Sequence, residues 1–306
     1  MNRQFFIVIF ALFVTVSKSY SQNGLQEPEW FSFNWVSFTF QERVIEKAAM
    51  MIPVTIDDIP QKFKMQFDLG SGKTMLYKKP LKHFLEEYPL LKNKISKNRV
   101  KNVDLQFGKV LFKDTDVTLT NFGDNLSAAS INSETEILIG TIGADLFKNK
   151  ILIIDYKLNR LAIVNTLSLE YQNASFMKFK KAVAFGLIKI PFLIDGKKKY
   201  LLFDTGSSLM SLFTTQKNAV KIGGNEIVDF ITGSSWGKID SIYGYETVVP
   251  VIFGDRKMEK PIVYHMDSNR YDLTFKVLNV WGITGNAFFL NDVIIIDFKK
   301  KRFGIL

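Results

Sequence analysis

Four landmarks occur twice along this chain, in the same order. Ile52-Pro53-Val54-Thr55-Ile56-Asp57-Asp58 is answered by Ile190-Pro191-Phe192-Leu193-Ile194-Asp195-Gly196. Phe67-Asp68-Leu69-Gly70-Ser71-Gly72 is answered by Phe203-Asp204-Thr205-Gly206-Ser207-Ser208. Gly140-Thr141-Ile142-Gly143-Ala144-Asp145-Leu146-Phe147 returns as Gly282-Ile283-Thr284-Gly285-Asn286-Ala287-Phe288-Phe289, and Ile151-Leu152-Ile153-Ile154-Asp155-Tyr156 as Val293-Ile294-Ile295-Ile296-Asp297-Phe298. The offset is 136 residues at the Asp turns and 142 at the two later landmarks, so the second copy carries six extra residues between them. Ordered landmarks at a nearly constant spacing mark two homologous units in one chain.

Each unit is a succession of short apolar or alternating runs separated by Gly, Asn and Asp, which reads as strands and turns. Trp30 to Phe40, rich in aromatics, Ser, Thr and Val, is predicted as strand. Met51 to Asp68 reads as a hairpin whose second strand delivers Asp68. Residues 80–91 carry apolar positions 81, 84, 85 and 88, the face of a short helix. Val103–Phe107 and Asp116–Leu119 read as paired strands, and residues 137–164 as a buried strand, a Gly-bounded turn, a short helix and a closing hairpin. With 306 residues, 47% of them hydrophobic, both units have material for a core. The apolar pattern weakens between Asn165 and Lys181. The expected organisation is an N-terminal lobe over 22–165, a connection over 166–181 and a C-terminal lobe over 182–306. Before these, Arg3 precedes the apolar run Phe5–Val16. Twelve residues are too few to span a bilayer, which takes about 20, so residues 1–21 read as a signal peptide with Ser19 and Ser21 at the cleavage site. The expectation is an exported chain, periplasmic or secreted, with no membrane span after signal removal; an uncleaved anchor is the competing reading.

Composition removes most other chemistries. The chain has no Cys, hence no thiol nucleophile, thiolate metal site or disulfide, and its core packing must hold it together unaided. Its two histidines are His83, on the helix-like stretch, and His265, at the end of a strand-like run, and no G-x-S-x-G turn supplies a serine partner. The formal charge of +10 is spread along the chain rather than gathered in a stripe, so no nucleic-acid partner is expected. Asp57-Asp58 and Asp114/Asp116 lack calcium-loop spacing. Asp155 and Asp297 end apolar strands and read as turn residues that satisfy backbone donors. Neither cofactor nor metal is expected.

Carboxylates remain. Asp68 and Asp204 each follow buried apolar strand residues and are turned sharply by a Gly among hydroxyls, an arrangement that brings two carboxylates face to face. Here the chain resembles the pepsin-like and retropepsin-like aspartic peptidases, in which each of two lobes contributes an Asp from a D-[ST]-G-[ST] turn. Asp204-Thr205-Gly206-Ser207 matches fully and Asp68-Leu69-Gly70-Ser71 at three of four positions. Gly140–Gly143 and Gly282–Gly285 resemble the family's hydrophobic-hydrophobic-glycine segment. The resemblance, over Ile52 to Leu306, implies a mostly β, bilobed, acid-protease-like fold of two β-barrel-like lobes with short helices and a cleft between them. It implies an aspartic endopeptidase acting on a peptide or protein substrate through a water activated between Asp68 and Asp204. Two carboxylates about 3 Å apart cannot both ionise, so one proton is shared. Gly70 and Gly206 serve the tight turns and their close approach, Ser71 and Ser207 are expected to hold the outer carboxylate oxygens, and Thr205 belongs to a lattice of hydroxyls beneath the pair. Leu69 departs from the pattern and cannot join that lattice, which keeps open the alternative of a catalytically silent relative that binds peptides or a protein partner. The covering hairpin also departs: the first lobe offers only Phe107 to Phe112, without Tyr, and the second offers Trp236 as the tip of a covering loop.

Overall fold

A computed structural model describes residues 27–40, 43–127, 131, 134–182, 186–235 and 238–306. The signal-peptide run and Trp236 lie outside the described residues. The duplication is visible strand by strand. Arg43–Ile56 and Phe63–Phe67 form an antiparallel hairpin, as do Ile188–Ile194 and Lys197–Phe203. The second turns through Asp195 and Gly196, at φ 51° and 66°. A two-residue loop with both φ values positive matches the right-handed twist of its strands, and Asp-Gly is suited to it. In the first hairpin Asp57 takes φ 47°, and its carboxylate accepts from the backbone N–H of Asp104 and from Lys94.

The strand Phe63–Phe67 buries Phe63, Met65 and Phe67 on one face and then runs parallel to Ile137–Ile142. Met75–Tyr77 closes the motif, antiparallel to Ile137–Ile142 and parallel to Val110–Thr120. In the second lobe Lys197–Phe203 runs parallel to Gly282–Thr284. Leu212–Thr214 lies antiparallel to Gly282–Thr284 and parallel to Ile262–Met266. Crossing strands this closely excludes side chains: a Cβ on Gly140 would fall on the Met75 carbonyl, and one on Gly282 on the Phe213 carbonyl. The glycine spacing legible in the sequence is therefore a packing requirement of the crossing.

The lobes meet in a six-stranded sheet in the order Trp30–Ser32, Arg160–Val164, Ile151–Asp155, Val293–Asp297, Arg302–Ile305, Ser175–Lys178. Its central pair joins one strand from each lobe, with Ile153 opposite Ile295. Segment 166–181, a weak apolar stretch in sequence, supplies the last strand, and Trp30–Ser32 occupies the matching place on the other side. The two hairpins of this sheet repeat one device. Asp155 accepts from Leu158 N (3.1 Å) and Arg160 Nε (3.0 Å), and Asp297 from Lys300 N (2.8 Å) and Arg302 Nε (3.0 Å). Each guanidinium lies over an aromatic ring of the flanking strand, Arg160 over Trp30 and Arg302 over Phe176, both at 4.1 Å. A buried carboxylate held by a turn N–H and a guanidinium is satisfied on every side that water cannot reach. Above the sheet, Phe147 touches both Phe67 and Phe298, and Phe203 touches Phe289 and Phe303, so one apolar core runs through both lobes.

The predicted strand over Trp30–Phe40 is two strands, Trp30–Ser32 and Asn34–Phe40, because its halves join different sheets. The predicted helix over 80–91 is three short helical pieces, Lys78–Leu81, Lys82–Phe84 and Pro89–Asn93, with Pro89 opening the last.

Asp297→Ala strands Arg302 and the Lys300 N–H at the base of the interlobe sheet. It is expected to lower unfolding free energy by about 2–4 kcal/mol. Urea denaturation measures this, and Lys300→Ala, which keeps the carboxylate and the backbone donor, serves as the near-neutral control.

Candidate active site

Each Asp leaves its strand at a point fixed by the neighbouring parallel strand. Asp68 N donates to Ile142 O and Asp204 N to Thr284 O, both at 3.0 Å. The chain then turns back, with Ser71 N donating to Asp68 O (3.1 Å) and Ser207 N to Asp204 O (3.2 Å). Parallel pairing in both lobes thus delivers both carboxyls to the same level, one from each side. The glycines allow them to meet: a Cβ on Gly70 would come within 2.3 Å of the Asp204 carboxyl, and one on Gly206 within 2.8 Å of Asp68 Cγ. Each glycine lies against the other lobe's carboxylate.

The two carboxyls hydrogen-bond to each other. Burial, the adjacent Asp204 charge and this bond push Asp68 well above the ordinary carboxylate range, with the N–H groups of Ser71 and Gly70 pulling partly back. Burial raises Asp204 too, but the bond from Asp68 and the N–H groups of Gly206, Ser207 and Gly70 hold it lower. Both carboxyls are thus raised, Asp68 the further of the two. Both remain half-buried rather than sealed, at the floor of a cleft that solvent reaches.

Beneath the pair the two loops are not equivalent. Thr205, fully buried, accepts from Leu69 N at 2.8 Å and donates to Phe67 O at 3.2 Å, so its one hydroxyl makes both cross-lobe bonds. Leu69 is also fully buried and returns nothing polar; it packs into the first-lobe core. The serines differ from their expected role. Ser71 Oγ donates to Lys73 O (2.7 Å), and it is the Ser71 backbone N–H that reaches Asp68 Oδ1 (3.0 Å). On the other side Gly206 N reaches Asp204 Oδ1 (2.9 Å), and Ser207 also acts through its N–H. Carboxylates at a tight turn find backbone donors close at hand, which leaves the hydroxyls free to bond elsewhere.

The support beneath the Asp204 loop escaped the reading of the sequence. Asn286 Nδ2 donates to Thr205 O (2.7 Å) and to Ser208 Oγ (2.9 Å), while Asn286 Oδ1 accepts from Tyr156 Oη (2.7 Å) across the lobe boundary. All of these groups are buried. The first lobe uses other residues: Asp145 Oδ1 accepts from Thr74 N (2.8 Å) and Thr74 Oγ1 (2.7 Å), and Gly143 N donates to Thr74 Oγ1 (3.0 Å). A polar residue soon after the glycine segment in each copy, Asp145 and Asn286, was the available signal.

Phe107 is not part of the cleft. It is 1% exposed and packed against Phe31 and Phe112, and the turn beyond it is tied down, Gly108 against Phe31 and Lys109 to Glu29. A side chain that closes the core of its own lobe cannot cover a substrate. The tip assigned to Trp236 lies outside the described residues, between the paired strands Asp229–Ser235 and Lys238–Glu246. His265 is buried between the rings of Tyr243 and Tyr245, and His83 is exposed on its helix. Among the described residues, no group of three His, Asp or Glu could hold a metal, and no helix is long and apolar enough to cross a membrane.

No family model matches the chain, and no curated protein does. Among solved structures it is similar in fold to an aspartic proteinase from Irpex lacteus, at 9% identity and a TM-score of 0.44, over 84% of this chain and 94% of that one. The mostly β architecture of two repeated lobes expected from the duplicated landmarks is the one observed.

Thr205→Val keeps the shape of the side chain and leaves the buried Leu69 N–H and Phe67 carbonyl without partners. It is expected to cost about 2–4 kcal/mol in denaturant unfolding, whereas Thr205→Ser stays within about 1 kcal/mol of the parent.

Proposed function

We propose that this chain is an aspartic endopeptidase. The observation that carries the reading is the reciprocal placement of Gly70 against Asp204 and Gly206 against Asp68, which gives two carboxyls in hydrogen-bond contact at the floor of a cleft. Asp204 accepts a proton from a water as its oxygen attacks the peptide carbonyl, and Asp68 donates its proton to the carbonyl oxygen. The tetrahedral diol then collapses, the C–N bond breaks and the departing amine takes a proton from the pair. Every proton moves between substrate, water and the two carboxyls, so no covalent enzyme intermediate is needed. The substrate is a peptide in extended form. The apolar run Phe5–Val16 supports the accompanying proposal that the chain is exported.

Leu69 favours a second reading, a peptide-binding relative without turnover. One hydroxyl, that of Thr205, stands beneath the pair in place of two. The two readings part in a cleavage assay with a peptide library: peptide binding without turnover supports the silent relative.

For the peptidase, Asp68→Asn and Asp204→Asn are each expected to lower kcat by about 10²–10⁴-fold. The kcat/KM profile is expected to be bell-shaped. Its alkaline limb, set by loss of the Asp68 proton, lies above the ordinary carboxylate range because the pKa of Asp68 is raised. Stability carries the same sign. A raised folded-state pKa means the native protein binds more protons than the unfolded chain, so the pair's contribution is fullest below the unfolded value of about 3.9 and is lost as pH rises through the folded value. Asp68→Asn, which still donates to Asp204 but cannot ionise, is expected to be more stable than the parent at neutral pH and to lose that advantage in acid. Denaturant titrations across pH measure it; an advantage that grows in acid contradicts the assignment of Asp68 as the protonated partner.

A further inference from the structure

The cleft has one wall that the internal symmetry does not explain. In the second lobe the strand Ile188–Ile194 pairs on its outer side with the two-residue strand Lys180–Lys181 and, at Leu193 and Ile194, with Val251–Phe253. In the first lobe the matching strand Arg43–Ile56 pairs with the seven-residue strand Asn34–Phe40, which is the last strand of its sheet and has an unpaired outer edge among the described residues. The base of this hairpin is fixed: Trp35 stacks on Tyr156 and donates Nε1 to Asn159 Oδ1 (3.0 Å), and Phe33 N donates to Asn159 O (2.9 Å). Beyond the base a bulge between Val36 and Phe38 shifts the register, and Ser37 Oγ donates across it to Glu46 O. Bulges bend and twist a hairpin and re-aim its side chains.

The cross-strand pairs Val36/Ala49 and Phe38/Ile45 line one side of a cavity of about 400 Å³. Asp204 lies in its floor and Thr232 and Ile242 of the second-lobe hairpin face it from the other side. Among the described residues, Asp204 is the only charged one along the cavity wall. Phe38 is 49% exposed and Val36 37%, although both belong to this apolar lining. Its size falls within the ~300–1,000 Å³ range of ligand clefts.

We infer that this hairpin, upstream of Asp68, is the element that covers the substrate, and that the cavity beside Asp204 takes a large apolar side chain, such as Leu, Met or Phe, of an extended peptide. The inference rests on the peptidase reading only in requiring that a peptide lie across the two carboxyls. A bound peptide pairs its backbone with the free edge of Asn34–Phe40, and alternate side chains then fall toward or away from the cavity. Exposed apolar groups around an apolar hollow gain by being covered, and among the described residues a charged side chain finds no charged partner there except the reacting carboxylate itself. The role expected of Phe107 or Trp236 is thereby assigned to Val36, Phe38 and Ile45.

The test compares the full chain with Ala49→Trp, which fills the cavity, and Phe38→Ala, which widens it from an exposed position and so spares the fold. Each is profiled on a randomised octapeptide library, and peptides differing by Leu or Gly at the selected position are titrated calorimetrically into Asp68→Asn with and without the cavity substitution. The parent is expected to prefer Leu, Met or Phe at one peptide position. Ala49→Trp is expected to shift that preference toward Gly and Ala by about tenfold or more, and Phe38→Ala to shift it toward larger residues, with other positions and thermal melting unchanged. Cleavage with an unaltered profile in both folded variants overturns the inference and leaves the dyad intact. Selective binding that shifts as expected without cleavage upholds the inference and overturns the peptidase. Absence of both binding and cleavage in the parent overturns both.

Discussion

Two carboxyl groups within hydrogen-bond reach of one another are costly to build, because each is drawn out of water beside the other's charge. The rest of the structure is arranged to hold them there. The glycines at 70 and 206 remove the side chains that would keep the loops apart, and the parallel strands ending at Ile142 and Thr284 fix where each Asp leaves its sheet. The six-stranded sheet beneath, joined at Ile153 and Ile295, sets the lobes in register. A slip of one residue in that central pair would carry each Asp more than 3 Å along the strand direction and out of contact.

The two halves solve the common problem with different residues. Thr205 makes both cross-lobe bonds, to Leu69 N and Phe67 O, and the position opposite it is filled by a buried leucine. The loss is smaller than a count of hydroxyls implies. The backbone groups that most need a partner in the first loop have one, and Leu69 adds apolar burial of about 1.5–3 kcal/mol where a threonine would add less. The second loop draws its support from below, through Asn286, instead of from a hydroxyl opposite. Asymmetry at the floor of the cleft is matched by asymmetry in the donors: Gly206, Ser207 and Gly70 direct their N–H groups at Asp204 and hold its pKa lower, while Asp68 is raised further.

Much of this was legible in the sequence because it was written twice. The hairpins ending at Asp68 and Asp204, the glycine segments and the turn residues Asp155 and Asp297 all depend on contacts a few residues to one strand away, where periodicity and turn chemistry operate. What escaped depends on pairs that the chain brings together from far apart. Tyr156 and Asn286 lie 130 positions from one another, and nothing in the local pattern of either says they meet. Phe107 sat correctly on a predicted strand, but alternation does not reveal which face of a two-sided strand is the core. The segment Asn34–Phe40 was readable as strand and unreadable as a cleft wall, since its second-lobe counterpart is too short for the duplication to expose the difference.

These long-range contacts form one line. Trp35 at the base of the upstream hairpin stacks on Tyr156, Tyr156 donates to Asn286, and Asn286 holds the carbonyl of Thr205 and the hydroxyl of Ser208. Thr205 in turn grips the loop of Asp68. The hairpin beside the cleft and the floor that carries both carboxyls are thus tied through buried, mutually satisfied groups, each holding the next in a single orientation. Because Asn286 spends both amide protons and its carbonyl on this line, it has no alternative rotamer that keeps its partners. The line ends at the base of the hairpin, so the side chains beyond the bulge at Ser37 that line the cavity stand on a base fixed to the floor.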